Sequence, residues 1–217
     1  MEECHESCDN HIHADHMKHR TRWVFSLIFI PVCIFLIRTI MARQMLYRAS
    51  AYEASNMHQE SIRQYKKALF MDGDNAEGWN GLAAVYKLAG DMEKTISAYR
   101  KALEAEPQNR KALYSLGMRL ALDKQQYEEA AGYWNQVREL GPESVEEREK
   151  YQLSYHRLSL DALATCYKRL NDADREADIL EELRHHYPDS SKVREENQAI
   201  DGNPSNIGIG EKSSTSP

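Results

Sequence analysis

A thirty-four-residue period constrains this chain more than any other feature. Its clearest unit runs from Ala76 to Asn109, AEGWNGLAAVYKLAGDMEKTISAYRKALEAEPQN. Within it Trp79, Leu82, Ala83 and Tyr86 stand at positions 4, 7, 8 and 11, the spacing of one helix face. Thr95, Tyr99 and Ala102 at positions 20, 24 and 27 mark a second helix. Small residues such as Ala83 and Ala102 let the two helices approach closely, while Trp79, Tyr86 and Tyr99 fill the space between neighbouring units. Gly90 permits the tight reversal between the helices, and Pro107 stops the second one.

Three further stretches repeat the pattern less cleanly. Residues 42–75 carry Met45, Ala49, Tyr52, Ser61, Tyr65 and Ala68 in register, but Arg48 occupies a normally apolar position. A first unit has no preceding neighbour, so a degraded pattern is expected there. In 110–144, Leu113, Leu116, Gly117 and Leu120 form the first helix. Tyr127, Ala130, Trp134 and Val137 then come one residue late, which implies an insertion between Asp123 and Gln126. In 157–190, Leu160, Leu163, Ala164, Tyr167, Leu180 and Leu183 hold the register, with Glu176 at the small-residue position. Ser144 followed by Glu147 is a capping-box signature, from which one long helix over 145–168 is expected.

The unit at 76–109 resembles the tetratricopeptide repeat (TPR), with Thr95 as its main departure from the usual small Ala. The resemblance extends over about 42–190. It implies an all-α fold: a right-handed superhelical solenoid of about four helix-turn-helix repeats, here preceded by one transmembrane helix. It also implies an adaptor that holds a partner protein in a groove lined by the first helix of each repeat. Carried over position by position, that groove includes Leu46, Tyr47, Ser50, Asn80, Ala84, Lys87, Lys111, Tyr114, Met118, Asp161 and Thr165. Several of these, Leu46 and Tyr114 among them, have packing within the array as an equal alternative. One subset of the family clamps C-terminal carboxylates with Lys, Asn and Arg. The corresponding places here hold Leu46, Ser50, Gly81, Lys111 and Ser115, and only Lys111 fits.

The membrane helix is read from the run Trp23–Ile37, fifteen residues without a charge. Such a run spans about 22 Å against roughly 30 Å of hydrocarbon. With Arg38 snorkelling outward, the span extends over 23–42 and suffices. A cleaved signal peptide is the rival, opposed by Ile40 and Ala42 at the cleavage positions. Lys18, Arg20 and Arg22 crowd the short N-terminal flank and favour a cytoplasmic N-terminus. The repeats then lie across the membrane, in the periplasm of a bacterial inner membrane; cytoplasmic repeats are the alternative.

The first twenty-two residues hold Cys4, Cys8, His11, His13 and His16, side chains of the kind that bind zinc, copper or nickel. Their spacing matches no defined zinc module. A metal-responsive membrane protein is therefore the alternative to a scaffold, alongside a solvated tail at 1–22 that binds metal adventitiously. Met17-Lys-His-Arg before the apolar run is itself a well-formed start, in which case the tract lies outside the mature chain.

The chain has 217 residues and a net charge of −6, so no basic footprint points to nucleic acid. Its four cysteines build no disulfide framework. No G-x-S-x-G, P-loop or H-E-x-x-H motif occurs, and no catalysis is expected. His185 and His186 at a helix end suit the C-terminal dipole, and His58 and His156 have no evident partner in the sequence. The stretch 191–217 is read as mostly disordered, with a short helix over 193–200 as a cover for the last repeat.

Overall fold

The computed structural model describes residues 3–146 and 153–195, and side chains from residue 29 onwards. Among the described residues, eight helices are seen from end to end: α1 (Glu3–Ala54), α2 (His58–Met71), α3 (Ala76–Leu88), α4 (Met92–Ala105), α5 (Arg110–Asp123), α6 (Tyr127–Glu139), α7 (Tyr155–Arg169) and α8 (Ala173–His186). They pack as antiparallel hairpins, α1 with α2, α3 with α4, α5 with α6 and α7 with α8, and each hairpin packs on the next.

Five helix starts are set by side chains, while α2 and α6 begin without one. The first four N–H groups of a helix lack intrahelical acceptors, and a short polar side chain supplies one. Asn75 Oδ1 accepts from Gly78 N at 2.7 Å, and Asn109 Oδ1, thirty-four residues on, accepts from Ala112 N at 3.0 Å. Asp91, Ser154 and Asp172 cap α4, α7 and α8 in the same way.

Helix reversals need a residue with positive φ. Gly90 has φ 79°, and Asn56, Gln125 and Asn171 take its place in the other hairpins at 55–56°. Helix α5 has 14 residues where α3 has 13, which moves the third reversal one residue later. That is the inserted residue read from the sequence, absorbed at the end of α5.

Close packing depends on missing side-chain atoms. A Cβ on Gly81 would lie 2.4 Å from the Tyr65 ring, and one on Gly117 would lie 2.6 Å from Trp134 Nε1. Two of the polar residues at the small position, Ser61 and Thr95, are accommodated by carbonyls. Ser61 Oγ donates to Ala49 O at 2.8 Å and Thr95 Oγ1 to Asp91 O at 2.8 Å, both side chains fully buried. A buried hydroxyl with an acceptor carries little penalty, so Thr95 does not weaken its repeat. Arg48 is exposed, as expected where no earlier repeat covers it.

Two expectations are corrected. The stretch 145–168 is not one helix: Ser154 is extended (φ −97°, ψ 106°) and α7 starts at Tyr155. Residues 145–146 are helical, as the capping signal at Ser144 implies, but that helix is separate from α7. Glu143 accepts from Ser154 Oγ at 2.8 Å and from His156 N at 2.7 Å, pinning the connection back across the start of α7. His156 also has partners. It is 1% exposed, its Nδ1 lies 3.1 Å from the Tyr187 hydroxyl, and its Nε2 lies 3.5 Å from Glu182 Oε1.

Helix α1 changes character along its length. Phe29, Ile30, Phe35 and Ile37 are exposed, whereas Ala42 and Ala49 are buried against the array. Phe29–Ala54 is long and apolar enough to cross a membrane by length and composition, and its last third already serves as the first helix of the stack. No break separates the two parts. At the other end, residues 191–195 are helical, Val193 is 2% exposed within the core, and Ser190 Oγ accepts from Val193 N. Residues 196–200, the remainder of the expected cover, lie outside the described ones.

Candidate partner-binding groove

The first helices of the hairpins line one face, where α1 touches α3 and α5 touches α7. The residues expected to form a groove separate into three sets. Tyr114, Met118, Asp161 and Thr165 come together around a cavity of about 270 Å³ between α5 and α7. Leu46, Tyr47 and Ser50 line a second, of about 580 Å³, beside Arg43, Asp72 and Glu77. Asn80, Ala84, Lys87 and Lys111 line neither. Asn80 is 3% exposed and donates from Nδ2 to Asn109 Oδ1 at 3.0 Å, so it braces the cap of α5.

The α5–α7 cavity has apolar walls and one unusual polar group. Leu122, 60% exposed, stands at its rim, and Tyr127, Leu158 and Ala162 complete the wall. Asp161 Oδ2 accepts from Arg157 Nη1 at 3.3 Å, but Oδ1 is shut off from solvent and has no hydrogen-bond partner. Burial raises the Asp161 carboxyl above its ordinary value, against the pull of Arg157 and Lys192. Burial also raises the Tyr114 phenol. A buried acceptor without a donor is costly, and an occupant reaches it only if the wall around Asp161 shifts; Arg169 and Lys192 also line the cavity.

The sequence reading did not single out Leu122, Leu158, Ala162 or Arg169. Leu158, Ala162 and Arg169 share one helix face with Asp161 and Thr165 and were findable from that spacing; Leu122 projects from the lengthened end of α5, which the regular period does not describe. The side chains of Cys4, Cys8, His11, His13 and His16 lie outside the described residues. Elsewhere, among the described residues, no group of three or more His, Cys, Asp or Glu is placed to hold a metal.

Tetratricopeptide repeat models match residues 76–109 and 159–190. The chain is a tetratricopeptide repeat protein. Over 118 residues it is 27% identical to the photosystem I assembly protein Ycf3 of Synechococcus sp. (strain CC9605), covering 47% of this chain and 68% of that one. Its fold is similar to that of MamA (TM-score 0.54, 13% identity, 75% of this chain and 81% of MamA). PilF of Pseudomonas aeruginosa is also similar (TM-score 0.55, 15% identity, 73% and 66%), as is a tetratricopeptide repeat protein of Parabacteroides merdae (0.55, 21%, 74% and 59%). TPR arrays bind proteins, and this one is a protein-interaction scaffold.

Proposed function

We propose that this TPR protein is a membrane-anchored scaffold that supports assembly of a membrane or envelope complex. In this reading 23–42 is the anchor and 43–190 the array, and the α5–α7 cavity holds a segment of the partner. The observation that carries it is a mostly apolar cavity on the face of the first helices, with Asp161, Arg169 and Lys192 in its lining. It suits an apolar side chain flanked by polar groups. The assembly role is supported by the likeness to a photosystem I assembly protein. The membrane location is supported by the apolar, exposed stretch of α1. The Lys18, Arg20 and Arg22 cluster supports a cytoplasmic N-terminus with the repeats on the other side.

Photo-crosslinking tests the groove. With a photoreactive residue at Tyr114 in the full chain, native membranes should yield one dominant protein adduct. Asp161→Ala should reduce that adduct about tenfold or more, the size of effect when a buried charged hydrogen bond is lost. An adduct that is absent, or equally strong from a probe at Lys101 on the second helix of its hairpin, would sink the assignment.

A further inference from the structure

The first hairpin returns the chain to the level where α1 leaves its apolar run. Arg38 is the first charge after that run, and its Nη2 donates to Met71 O at 2.6 Å, the last residue of α2. The end of α2 is thereby tied to α1 in the last turn of the 23–42 span. Beside it Phe70 is 88% exposed, more than any other large apolar side chain described. Such exposure of a phenylalanine at a helix end has no packing reason within the chain.

The charges around it are mostly positive. Between Arg38 and Asp74 stand Arg38, Arg43, Arg48, Arg63, Lys66 and Lys67 against Glu53, Glu60, Asp72 and Asp74, a net +2 in a chain whose total is −6. Arg63, Lys66 and Lys67 are exposed and rim an open trough of about 790 Å³ floored by Met45, Ile62, Phe70 and Met71. The heights fit a bilayer surface. At about 1.5 Å per residue, and with Met71 level with Arg38, Lys67 and Lys66 stand at the end of the 23–42 span and Arg63 about 6 Å beyond it. The polar layer on each face of a bilayer is roughly 5–8 Å thick, so Arg63 lies at the depth of the lipid phosphates and the lysines can snorkel to it. The carbonyl end of α2 could not enter hydrocarbon without cost, but Arg38 and the interface satisfy it.

We propose that the foot of α2 is a second membrane contact, in which Phe70 inserts at the interface and Lys66, Lys67 and Arg63 bind the phosphates of anionic phospholipids. This rests on the reading that α1 crosses the same bilayer. Two contacts, one through α1 and one through α2, fix the rotation of the array about the anchor, which a single span leaves free. The groove then faces a set direction over the membrane.

The test uses the full chain reconstituted in vesicles of phosphatidylcholine with or without phosphatidylglycerol, carrying photoreactive benzoylphenylalanine at Phe70, Phe35 or Leu122. The expected result is a lipid adduct from position 35 in both vesicles and none from position 122. Position 70 should give a lipid adduct with phosphatidylglycerol that is lost in phosphatidylcholine alone and in a Lys66→Glu/Lys67→Glu chain. A lipid adduct at 35 with none at 70 overturns the second contact while leaving the anchor standing. So does an adduct at 70 that is protein alone, or one indifferent to both phosphatidylglycerol and the lysine changes. No lipid adduct at 35 overturns the anchor, and this contact with it.

Discussion

His156 lies where the third and fourth hairpins meet, enclosed by Tyr187, Glu182, Glu143 and the ring of His186 at a centroid distance of 6.0 Å. Burial lowers its pKa below 6.5, although Glu182 and Glu143 pull it upward. The folded state therefore keeps the imidazole neutral. Because the folded pKa is the lower one, the unfolded chain binds more protons below pH 6.5, and stability falls as pH drops through that value towards the folded pKa. Glu143 adds to this at lower pH. Burial works to raise its pKa, but hydrogen bonds from His156 N and Ser154 outweigh it and leave a net depression below 4.5. Denaturant melts across this range should show acid lability beginning near 6.5. A His156→Gln chain should be about 1–3 kcal/mol less stable at neutral pH, from broken buried hydrogen bonds, yet lose less between neutrality and about pH 5. Parallel pH profiles for the two chains would contradict the assignment. None of this was readable from His156 alone, since its partners lie 13, 26 and 31 residues away in sequence.

At the scale of elements, the four reversals offer a comparison. Gly90 and the two asparagines suit positive φ, whereas Gln125 does not. Gln125→Gly should stabilise the array by about 1 kcal/mol, and Gly90→Ala should cost about as much; urea melts of both variants check the pair. Gly90 was legible because glycine at that place in the period has one plain use. The extra residue before Gln125 was also legible, from the delayed register of Tyr127, Ala130 and Trp134. The course of the connection before α7 was not. A helix starts after Ser144 and another after Ser154, and the break between them is fixed by Glu143 bonding to Ser154 and His156. Likewise, Asn80 reads as a groove residue from its position, but the partner that draws it inward, Asn109, belongs to the next repeat. Periodicity reports which face a residue is on. It does not report which neighbour claims its hydrogen bonds.

At the scale of the whole molecule, α1 carries the apolar stretch and the first repeat helix in one piece. Its 52 residues, about 78 Å at roughly 1.5 Å per residue, have no break. The sequence indicated this continuity, since the apolar run ends where the first repeat begins. It could not indicate the Arg38–Met71 bond, which needs α2 folded back along α1. The central claim is that this rigid junction holds the groove where its partner is found. The most direct test inserts a flexible Gly/Ser segment after Thr39 and measures the Tyr114 photoadduct in native membranes, beside the unaltered chain and one lacking the apolar run. The account predicts that the insertion sharply lowers the adduct and that loss of the run abolishes it, with the helical content of the array unchanged. Equal adduct from all three chains would contradict it.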